Sequence, residues 1–371
     1  MGKGQYPKKR VPDRNTGFFI KTTVSSSPSS FQYTSRMTQH TPPSPQHFID
    51  WGRIDDVLLD MDGTLLDRHF DNFLFEEELP RRYAALHRLS CEESRDRLMA
   101  MYRSVEGELA WTDFARLPRD AVAILPVAAI EQHGPHLPLR VDAALAEAIL
   151  ARALEIAPAG MPLLALPLQA VGHSPEHARF PGTLALRAET ALALWEDIGA
   201  SVARAGLRKL VVFNSHGGQP QLVDVLCTRL RAAHGMFAVA ASWFRLHRPD
   251  PAEAALPETE RRWGIHAGAV ETAMMRHLHP GLVREAEARD FSSAWIARQA
   301  AHAQLAPHGE IGFGWETQDL GAMGAIGDAR LGDAALGGRI VEQAASALAT
   351  LLAEVHRFDA GSWMREAPAA R

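Results

Sequence analysis

From Ala121 onward, short apolar segments alternate with amphipathic segments of helical length. The apolar segments predict four strands, with the sequences AVAILPVAAI, MPLLALPL, LRKLVVFN and MFAVAAS. The segments that follow them predict helices over residues 143–156, 189–205, 221–234, 267–277 and 334–358. Strands that alternate with helices in this way form parallel sheets covered on both faces. The sequence therefore predicts an α/β fold with a mostly parallel central sheet and helices on both of its faces.

The chain before this alternation divides into two parts. Residues 1–48 are rich in Ser, Thr, Pro and Gln. Such a segment buries too little apolar surface to offset the entropy of ordering it, so we predict that it is disordered. Residues 49–111 contain one predicted strand, over 55–60, followed by two segments of helix formers. The regular α/β domain is expected over residues 113–358, with a short tail at 359–371.

Composition argues against several classes of function. The net charge is −5, which gives no reason to expect a nucleic-acid partner. No apolar run approaches the ~20 residues that span a membrane, and the N-terminus has no apolar signal core. Cys91 and Cys227 are the only cysteines in the chain, a number that is typical of a reducing compartment. These features predict a cytoplasmic protein without a membrane partner.

Polar side chains follow the predicted strands at the point where each strand ends. Glu131 and His133 come directly after the first strand, and their spacing of two points them the same way in an extended segment. Asp142 follows at a strand-to-helix transition, and His216 follows the third strand in the sequence NSHGGQ. Ligands of a parallel sheet collect outside the carboxyl ends of its strands. We therefore expect these four side chains to lie at one edge of the sheet.

The sequence IHAGAVET adds His266 and Glu271 at the start of a helix. Mixed imidazole and carboxylate ligands suit Zn, Mn or Fe better than Ca or Mg. Several carboxylates with two imidazoles can bridge two ions, which would polarise a carbonyl and activate a water molecule. Each of these residues alone is more often an ordinary hydrogen-bonded or solvated side chain. Their occurrence in three successive strand–loop–helix units favours a site for divalent metal, with two ions.

Four segments resemble the signatures of a known family, and they occur in the family's order: PVAAIEQHGPHLPLRVD, GHSPEHARFPGT, VVFNSHGGQ and HAGAVETAMM. Together they are similar to the creatininase family of metal-dependent amidohydrolases, over about residues 113–358. The resemblance implies an α/β fold with a parallel central sheet and a binuclear metal centre. It also implies hydrolysis of a C–N bond other than a peptide bond, a small-molecule amide substrate and a homo-oligomer.

The resemblance also implies a role for individual residues. Four of them match ligand positions of the family: Glu131, His133, Asp142 and His216. Glu271 matches the glutamate that completes the centre in many members, and His266 matches the histidine that handles a proton. His136 and His177 are alternatives for the proton donor, because both lie in loops of the matching segments.

The glycines after His216 are a departure from part of the family. Creatininases that act on creatinine have Tyr-Glu at this point, whereas Gly217 and Gly218 stand here. This difference argues against creatinine as the substrate. The Gly-Gly form is similar to a broader branch that includes deformylases of formylaminopyrimidine nucleotides and enzymes of peptide-derived cofactor maturation. The Asn that usually follows is Gln219 here, which keeps the amide group.

The stretch IDDVLLDMDGTLLD, residues 54–67, resembles the start of a haloacid-dehalogenase-like phosphatase of the purine-nucleotide nucleotidase type. By that resemblance Asp60 would be the nucleophile and Asp62 the general acid. The chemistry also needs a Lys and a later acidic pair for Mg²⁺. Lys209 opens the strand that leads to His216, and the acidic pair of GDARLGD lies where a turn precedes the last helix. We therefore interpret residues 49–111 as a truncated phosphatase-like fragment, a strand with a helical appendage.

The sequence thus predicts a metal-dependent hydrolase of an amide, formamide or cyclic amide bond. One rival is a phosphomonoesterase that uses Asp60 as its nucleophile, and another is an inactive scaffold protein. Metal content separates these hypotheses, since the first requires bound Zn, Mn or Fe, the second labile Mg²⁺, and the third no metal.

Overall fold

A four-stranded parallel sheet lies at the centre of the part of the chain that the structure describes. The computed structural model describes residues 117–364 except 159–160, 250, 303 and 310, together with residues 81, 90, 109 and 111–114. The strands are ordered β2-β1-β3-β4, and their bounds are β1 Val122–Val127, β2 Leu163–Ala165, β3 Lys209–Asn214 and β4 Phe237–Ser242. Each neighbouring pair is parallel, so the prediction of a mostly parallel central sheet is confirmed.

Helices connect and follow these strands. The longer ones are α1 Val141–Ile156, α2 Ala188–Arg204, α3 Pro220–His234, α4 Glu258–Trp263, α5 Ala269–Leu278 and α6 Ala334–Arg357. Four-residue helices lie at Trp111–Phe114, Trp243–Leu246, Pro251–Ala254, Thr317–Leu320 and Ala360–Trp363. A short antiparallel pair joins β5 Asp290–Phe291 to β6 Gly327–Asp328. No helix within the described residues is both long and apolar enough to cross a membrane.

Helices cover both faces of the sheet because the side chains of each strand alternate between the faces. Val122 and Ile124 of β1 pack in a buried cluster with α1, α5 and α6. Ala123 and Leu125 of the same strand pack in a second cluster with α2 and α3. All four side chains are fully buried, and each large one, such as Ile124, contributes roughly 1.5–3 kcal/mol of burial free energy. The predicted arrangement of helices on both faces is confirmed.

The strands end in register, which fixes where the following loops begin. Val127, the last residue of β1, is the partner of Asn214 at the end of β3, and Asn214 pairs in turn with Ser242 at the end of β4. The loops after these strands therefore leave from one edge of the sheet. Pro220 at the start of α3 and Gly235 just after its end, with φ of 62°, bound the helix that returns the chain.

Two predictions for the ends of the chain meet the described residues only in part. The predicted disorder of residues 1–48 and the predicted strand that ends at Asp60 lie outside the described residues. The tail predicted to start at residue 359 begins with the short helix Ala360–Trp363, in which the Asp359 side chain accepts a hydrogen bond from the Ser362 backbone N–H.

Candidate metal centre

Six side chains singled out from the sequence converge at the carboxyl edge of the sheet. Their positions follow from the elements that carry them: Glu131 and His133 lie after β1, Asp142 in the first turn of α1, His216 after β3, His266 before α5 and Glu271 in the first turn of α5. Five of them are buried, and the side chain of Glu271 is 17% exposed. The structure brings together every ligand position that the sequence analysis proposed.

The carboxylate of Asp142 lies between two histidines. Its Oδ1 is 3.7 Å from His133 Nε2, and its Oδ2 is 3.5 Å from His216 Nδ1. Glu271 Oε2 lies 3.8 Å from His133 Nε2, and Glu131 Oε2 lies 3.2 Å from His216 Nδ1. Two groups of potential ligands result, Glu131–Asp142–His216 and His133–Asp142–Glu271. Because Asp142 belongs to both, it is placed to bridge two ions.

Backbone carbonyls orient both imidazoles toward the middle of the cluster. His133 donates its Nδ1–H to the Glu131 carbonyl at 3.0 Å, and His216 donates its Nε2–H to the His173 carbonyl at 3.1 Å. A carbonyl only accepts, so the opposite nitrogen of each ring is the one presented to Asp142. His133 Nε2 and Asp142 Oδ2 are buried and have no hydrogen-bond partner within the described residues. Such unpartnered donor atoms of mixed type fit a divalent metal of the Zn, Mn or Fe kind.

Electrostatics in the metal-free cluster favour protonated rings. Burial opposes a charge on His133, but Asp142 and Glu271 raise its pKa to about 9. Burial also opposes a charge on His216, yet Glu131 and Asp142 hold its pKa well above the usual range. Burial raises the pKa of Glu131 to about 7. Protons therefore stand where a cation would stand, and binding of a metal must release them.

His266 is a neutral imidazole with one nitrogen held and one nitrogen free. It donates its Nε2–H to the Gln132 carbonyl at 2.7 Å, and its Nδ1 lies 3.8 Å from Glu131 Oε1. Its ring lies between the rings of His133 and His177, with centroids 4.2 Å and 4.1 Å away. Burial and the nearby His133 hold the pKa of His266 well below its usual value.

Buried contacts at the N-terminus of α5 place His266 and Glu271. Glu260 accepts hydrogen bonds from the backbone N–H of Ala269 at 2.7 Å and of Asp328 at 2.6 Å, and so ties α4, α5 and β6 together. Ala267 has φ of 53°, a left-handed conformation that costs a non-glycine residue free energy. Its backbone N–H donates to Glu271 Oε2 at 2.5 Å, which stabilises this turn.

The sequence analysis did not single out Glu176, and it named His177 only as a proton-donor alternative. Both lie on the 3₁₀ turn Pro175–His177, ten residues or more beyond β2. His177 Nε2 lies 3.3 Å from Glu131 Oε1, and Glu176 Oε1 lies 3.4 Å from His216 Nε2. The Ser174 hydroxyl also donates to Glu131 Oε2. The segment GHSPEHARFPGT carried this signal, although no strand end precedes these residues directly.

His136, the other proton-donor alternative, faces away from the cluster. Its Nε2 is 2.9 Å from the Thr272 hydroxyl, and its ring stacks on Phe291 with centroids 5.3 Å apart. Burial and the charges of His133 and Arg276 lower the pKa of His136 to about 4. Its contacts are those of a core histidine that joins the loop after β1 to α5.

A cavity of about 450 Å³ opens onto the cluster. Glu131, Asp142, His216 and Glu271 lie at its base. Its walls include the aromatic side chains of Trp243, Phe244, His308 and Trp315, with the ion pair His247–Glu253. A small organic molecule therefore has room to reach the candidate metal ligands.

The residues considered for phosphatase chemistry have structural roles elsewhere. Lys209 begins β3, at the end of the sheet opposite the cluster, and donates to the His356 carbonyl near the end of α6. Asp333 caps the N-terminus of α6 by accepting from the Leu336 backbone N–H at 2.7 Å, and Asp328 pairs with Arg330 at 2.8 Å. Asp60 and Asp62 lie outside the described residues.

A parallel α/β fold with an imidazole–carboxylate cluster at its carboxyl edge defines a class of hydrolases that work with divalent metals. The chain belongs to the creatininase family, whose model, described as creatinine amidohydrolase, matches residues 107–352 of the 371 residues. Members of this family are metal-dependent hydrolases.

Two curated relatives indicate different substrates within the family. A creatinine amidohydrolase of Pseudomonas putida is 34% identical over 188 residues, which cover 48% of this chain and 72% of that protein. A mycofactocin precursor peptide peptidase of Mycobacterium tuberculosis is 34% identical over 189 residues, 48% of this chain and 68% of that protein. The two names cover both a non-peptide and a peptide substrate.

Solved creatininase structures share the fold. The crystal structure of a creatinine amidohydrolase (creatininase) matches with a TM-score of 0.56 and 28% identity, covering 68% of this chain and 98% of that chain. A manganese creatininase matches with a TM-score of 0.56 and 27% identity over 69% of this chain and 100% of that chain. A mutant creatininase of the Zn–Zn type matches with a TM-score of 0.54 and 27% identity over 68% and 98%. These structures and the cluster together support a divalent metal.

The N-terminal resemblance has a short counterpart among curated proteins. A GMP/IMP nucleotidase of Escherichia coli is 38% identical over 63 residues, which cover 17% of this chain and 28% of that protein. The match therefore concerns a fragment of a nucleotidase.

Proposed function

We propose that the protein hydrolyses an amide C–N bond outside peptides, in a small-molecule substrate, with the help of divalent metal. The observation that carries this proposal is the pair of ligand groups that share Asp142, in which His133 Nε2 and Asp142 Oδ2 are buried without hydrogen-bond partners among the described residues. Membership in the creatininase family supports the same reaction class.

The ligand groups assign residues to two ions. Glu131, Asp142 and His216 would hold one, and His133, Asp142 and Glu271 the other. Bound divalent ions of this kind polarise a carbonyl and lower the pKa of water to near neutrality. The Ser174 hydroxyl and His177 Nε2, which contact opposite oxygens of Glu131, keep that carboxylate turned toward the cluster.

His266 is placed to handle the proton that the leaving nitrogen requires, because an amide anion is too basic to depart. The Gln132 carbonyl accepts from Nε2–H of His266, so Nδ1 is the nitrogen that faces Glu131 and the cavity side of the cluster. A neutral ring at this position can take a proton from water at Nδ1 and return it to the substrate nitrogen.

A peptide bond is the second candidate substrate. It is favoured by the relatives named mycofactocin precursor peptide peptidase, two of which are 34% identical to this chain. The same ligands and the same proton-handling imidazole would serve either bond. The two candidates differ in what the cavity of about 450 Å³ must hold beside the scissile bond.

Activity of the metal-loaded full chain tests these functions. Formamides, cyclic amides, short peptides and phosphate esters are assayed after loading with Zn²⁺ or Mn²⁺. We expect hydrolysis of a formamide or cyclic amide that is abolished by Asp142→Ala. Hydrolysis confined to peptides would favour the second candidate. Hydrolysis confined to phosphate esters, retained in Asp142→Ala, would favour a phosphomonoesterase. A protein that binds metal and hydrolyses none of them would contradict the proposal. The cytoplasmic location and the homo-oligomer stay predictions.

A further inference from the structure

The carboxylate of Glu176 projects into the cavity beside the candidate metal ligands. Its side chain is 14% exposed, and its Oε1 lies 3.4 Å from His216 Nε2. That imidazole nitrogen already donates its proton to the His173 carbonyl. Within the described residues, His216 is the one basic side chain found within 4.0 Å of the Glu176 carboxylate. Glu176 thus keeps hydrogen-bonding capacity that the protein itself does not use.

The loop after β3 is shaped around this carboxylate. A Cβ atom added at Gly218 would collide with Glu176 Oε1 and would also lie 2.6 Å from His216 Nε2. A Cβ atom added at the neighbouring Gly217 would meet no atom within 4 Å. The absence of a side chain is therefore needed at Gly218 in particular, where it leaves room for Glu176.

The wall of the cavity lacks a cationic partner for Glu176. Of the described residues that line the cavity, none is Lys or Arg, and the carboxylates are Glu131, Asp142, Glu176, Glu253 and Glu271. Three of these belong to the two ligand groups that share Asp142, and Glu253 pairs with His247 Nε2 at 2.5 Å. Glu176 is the carboxylate that remains for a bound molecule.

A third group of potential metal ligands, Glu131–Glu176–His177, would give Glu176 another role. The tautomer of His177 argues against it. Gln132 accepts from the Gly134 backbone N–H at Oε1 and donates from Nε2 to the Gly324 carbonyl, so its second N–H faces His177 Nδ1 at 2.7 Å. His177 then carries its proton on Nε2 and donates it toward Glu131 Oε1 at 3.3 Å. A nitrogen that carries a proton has no lone pair for a metal.

We infer that Glu176 determines specificity by accepting a hydrogen bond from an N–H group of the substrate, next to the scissile amide. This inference rests on the proposed function, because it concerns a substrate of that same site. The substrate class is a small amide that carries an amine, ammonium or amide N–H donor and no anionic group beside the reacting carbonyl. A phosphate or carboxylate at this position would meet the Glu176 carboxylate with like charge.

The test compares three primary amides that differ in one group: glycinamide with an ammonium group, propionamide with a methyl group and malonamate with a carboxylate. Dissociation constants and kcat/KM are measured for the zinc-loaded wild type, Glu176→Gln and the control Glu189→Gln, whose side chain is exposed on α2. Metal content of each protein is measured in parallel.

The wild type is expected to prefer glycinamide over malonamate. In Glu176→Gln this preference should fall by about 10- to 100-fold, the usual worth of a charge-assisted hydrogen bond, with metal content unchanged. Glu189→Gln should behave as the wild type. If Glu176→Gln unfolds, Glu176→Asp serves in its place, since it keeps the charge but withdraws the oxygens by one methylene.

Two results would overturn the inference: an unchanged ratio in Glu176→Gln, or a loss of bound zinc that makes Glu176 a metal ligand. Failure of the proposed function has a different signature. If the wild type hydrolyses no amide, the reaction class is wrong, whereas the ratio of dissociation constants still decides whether Glu176 selects an N–H donor.

Discussion

His133 Nε2 and Asp142 Oδ1 face each other at 3.7 Å in the buried centre of the cluster. This separation is too long for a direct hydrogen bond. It is close to the roughly 3.3–3.7 Å expected between two ligand atoms that each lie about 2.0–2.2 Å from one tetrahedrally coordinated ion. The two side chains therefore stand as ligands of a common cation stand, and the following predictions test that reading.

Removal of metal with a chelator should abolish hydrolysis, and Zn²⁺ or Mn²⁺ should restore it. Metal at about 100 times its dissociation constant should add about 2.7 kcal/mol to the free energy of unfolding. Titration calorimetry and thermal unfolding measure both effects. Full activity in metal-free protein would contradict the assignment.

Metal affinity should rise with pH. In the metal-free protein the pKa of His133 is raised from 6.5 to about 9, so its protonated form contributes stability that is fully present below pH 6.5 and is lost as pH rises through about 9. A metal competes with that proton, so its dissociation constant should decrease between pH 6.5 and 9, with release of protons to the buffer. Calorimetry in buffers of different ionisation enthalpy measures the release.

Asp142→Ala and His266→Ala should separate metal binding from proton transfer. Asp142 belongs to both ligand groups, so its loss should remove metal and activity together. His266→Ala should keep its metal and lose roughly 10²–10⁴-fold in kcat, the usual worth of general acid–base catalysis. Near-normal kcat in a metal-loaded His266→Ala protein would assign the proton to another residue, with His177 as the next candidate.

Gly217→Ala and Gly218→Ala form a matched pair in one loop. A methyl group at Gly217 meets open space, whereas one at Gly218 collides with Glu176 and His216. We expect Gly217→Ala to retain activity and metal, and Gly218→Ala to lose at least tenfold in kcat/KM, equivalent to about 1.4 kcal/mol. Equal behaviour of the two variants would show that Glu176 moves aside without consequence.

Glu260→Gln should change how stability depends on pH. Burial raises the pKa of Glu260, although the backbone N–H groups of Ala269 and Asp328 pull it down. For an acid whose pKa is raised on folding, stability is present at low pH and is lost as pH rises from 4.5 through the folded value. The wild type should therefore lose free energy of unfolding relative to Glu260→Gln across that window. Glu258→Gln, exposed on the same helix, should show no such difference.

The main strands and helices were predictable because their periodicity is local. The predicted helix over 143–156 is observed as Val141–Ile156, and the predicted strand LRKLVVFN contains Lys209–Asn214. Four ligand candidates were recognisable because they follow strand ends or open α1, and strand ends meet at one edge of a parallel sheet. Glu271 and His266 needed the resemblance as well, since a glutamate in a first helical turn is ordinarily solvated.

Glu176 escaped prediction for a physical reason. β2 is three residues long, and the 3₁₀ turn that carries Glu176 lies in an irregular connection whose path no periodicity fixes. His136 shows the opposite case, because its motif made it a candidate while its contacts with Thr272 and Phe291 give it a core role. Local sequence cannot tell which way such a ring turns.

The sharing of Asp142 also has a consequence for chain topology. Glu131 and Glu271 are 140 positions apart (271 − 131) and meet in the two groups only after β1, β3 and α5 have docked. Closing so long a loop is entropically costly, yet each doubling of length adds only roughly 0.6 kcal/mol. A fragment that ends before α5 retains every donor of the Glu131 group but lacks Glu271. Such a fragment can complete one group alone, so the two-ion centre is a property of the whole domain, assembled last.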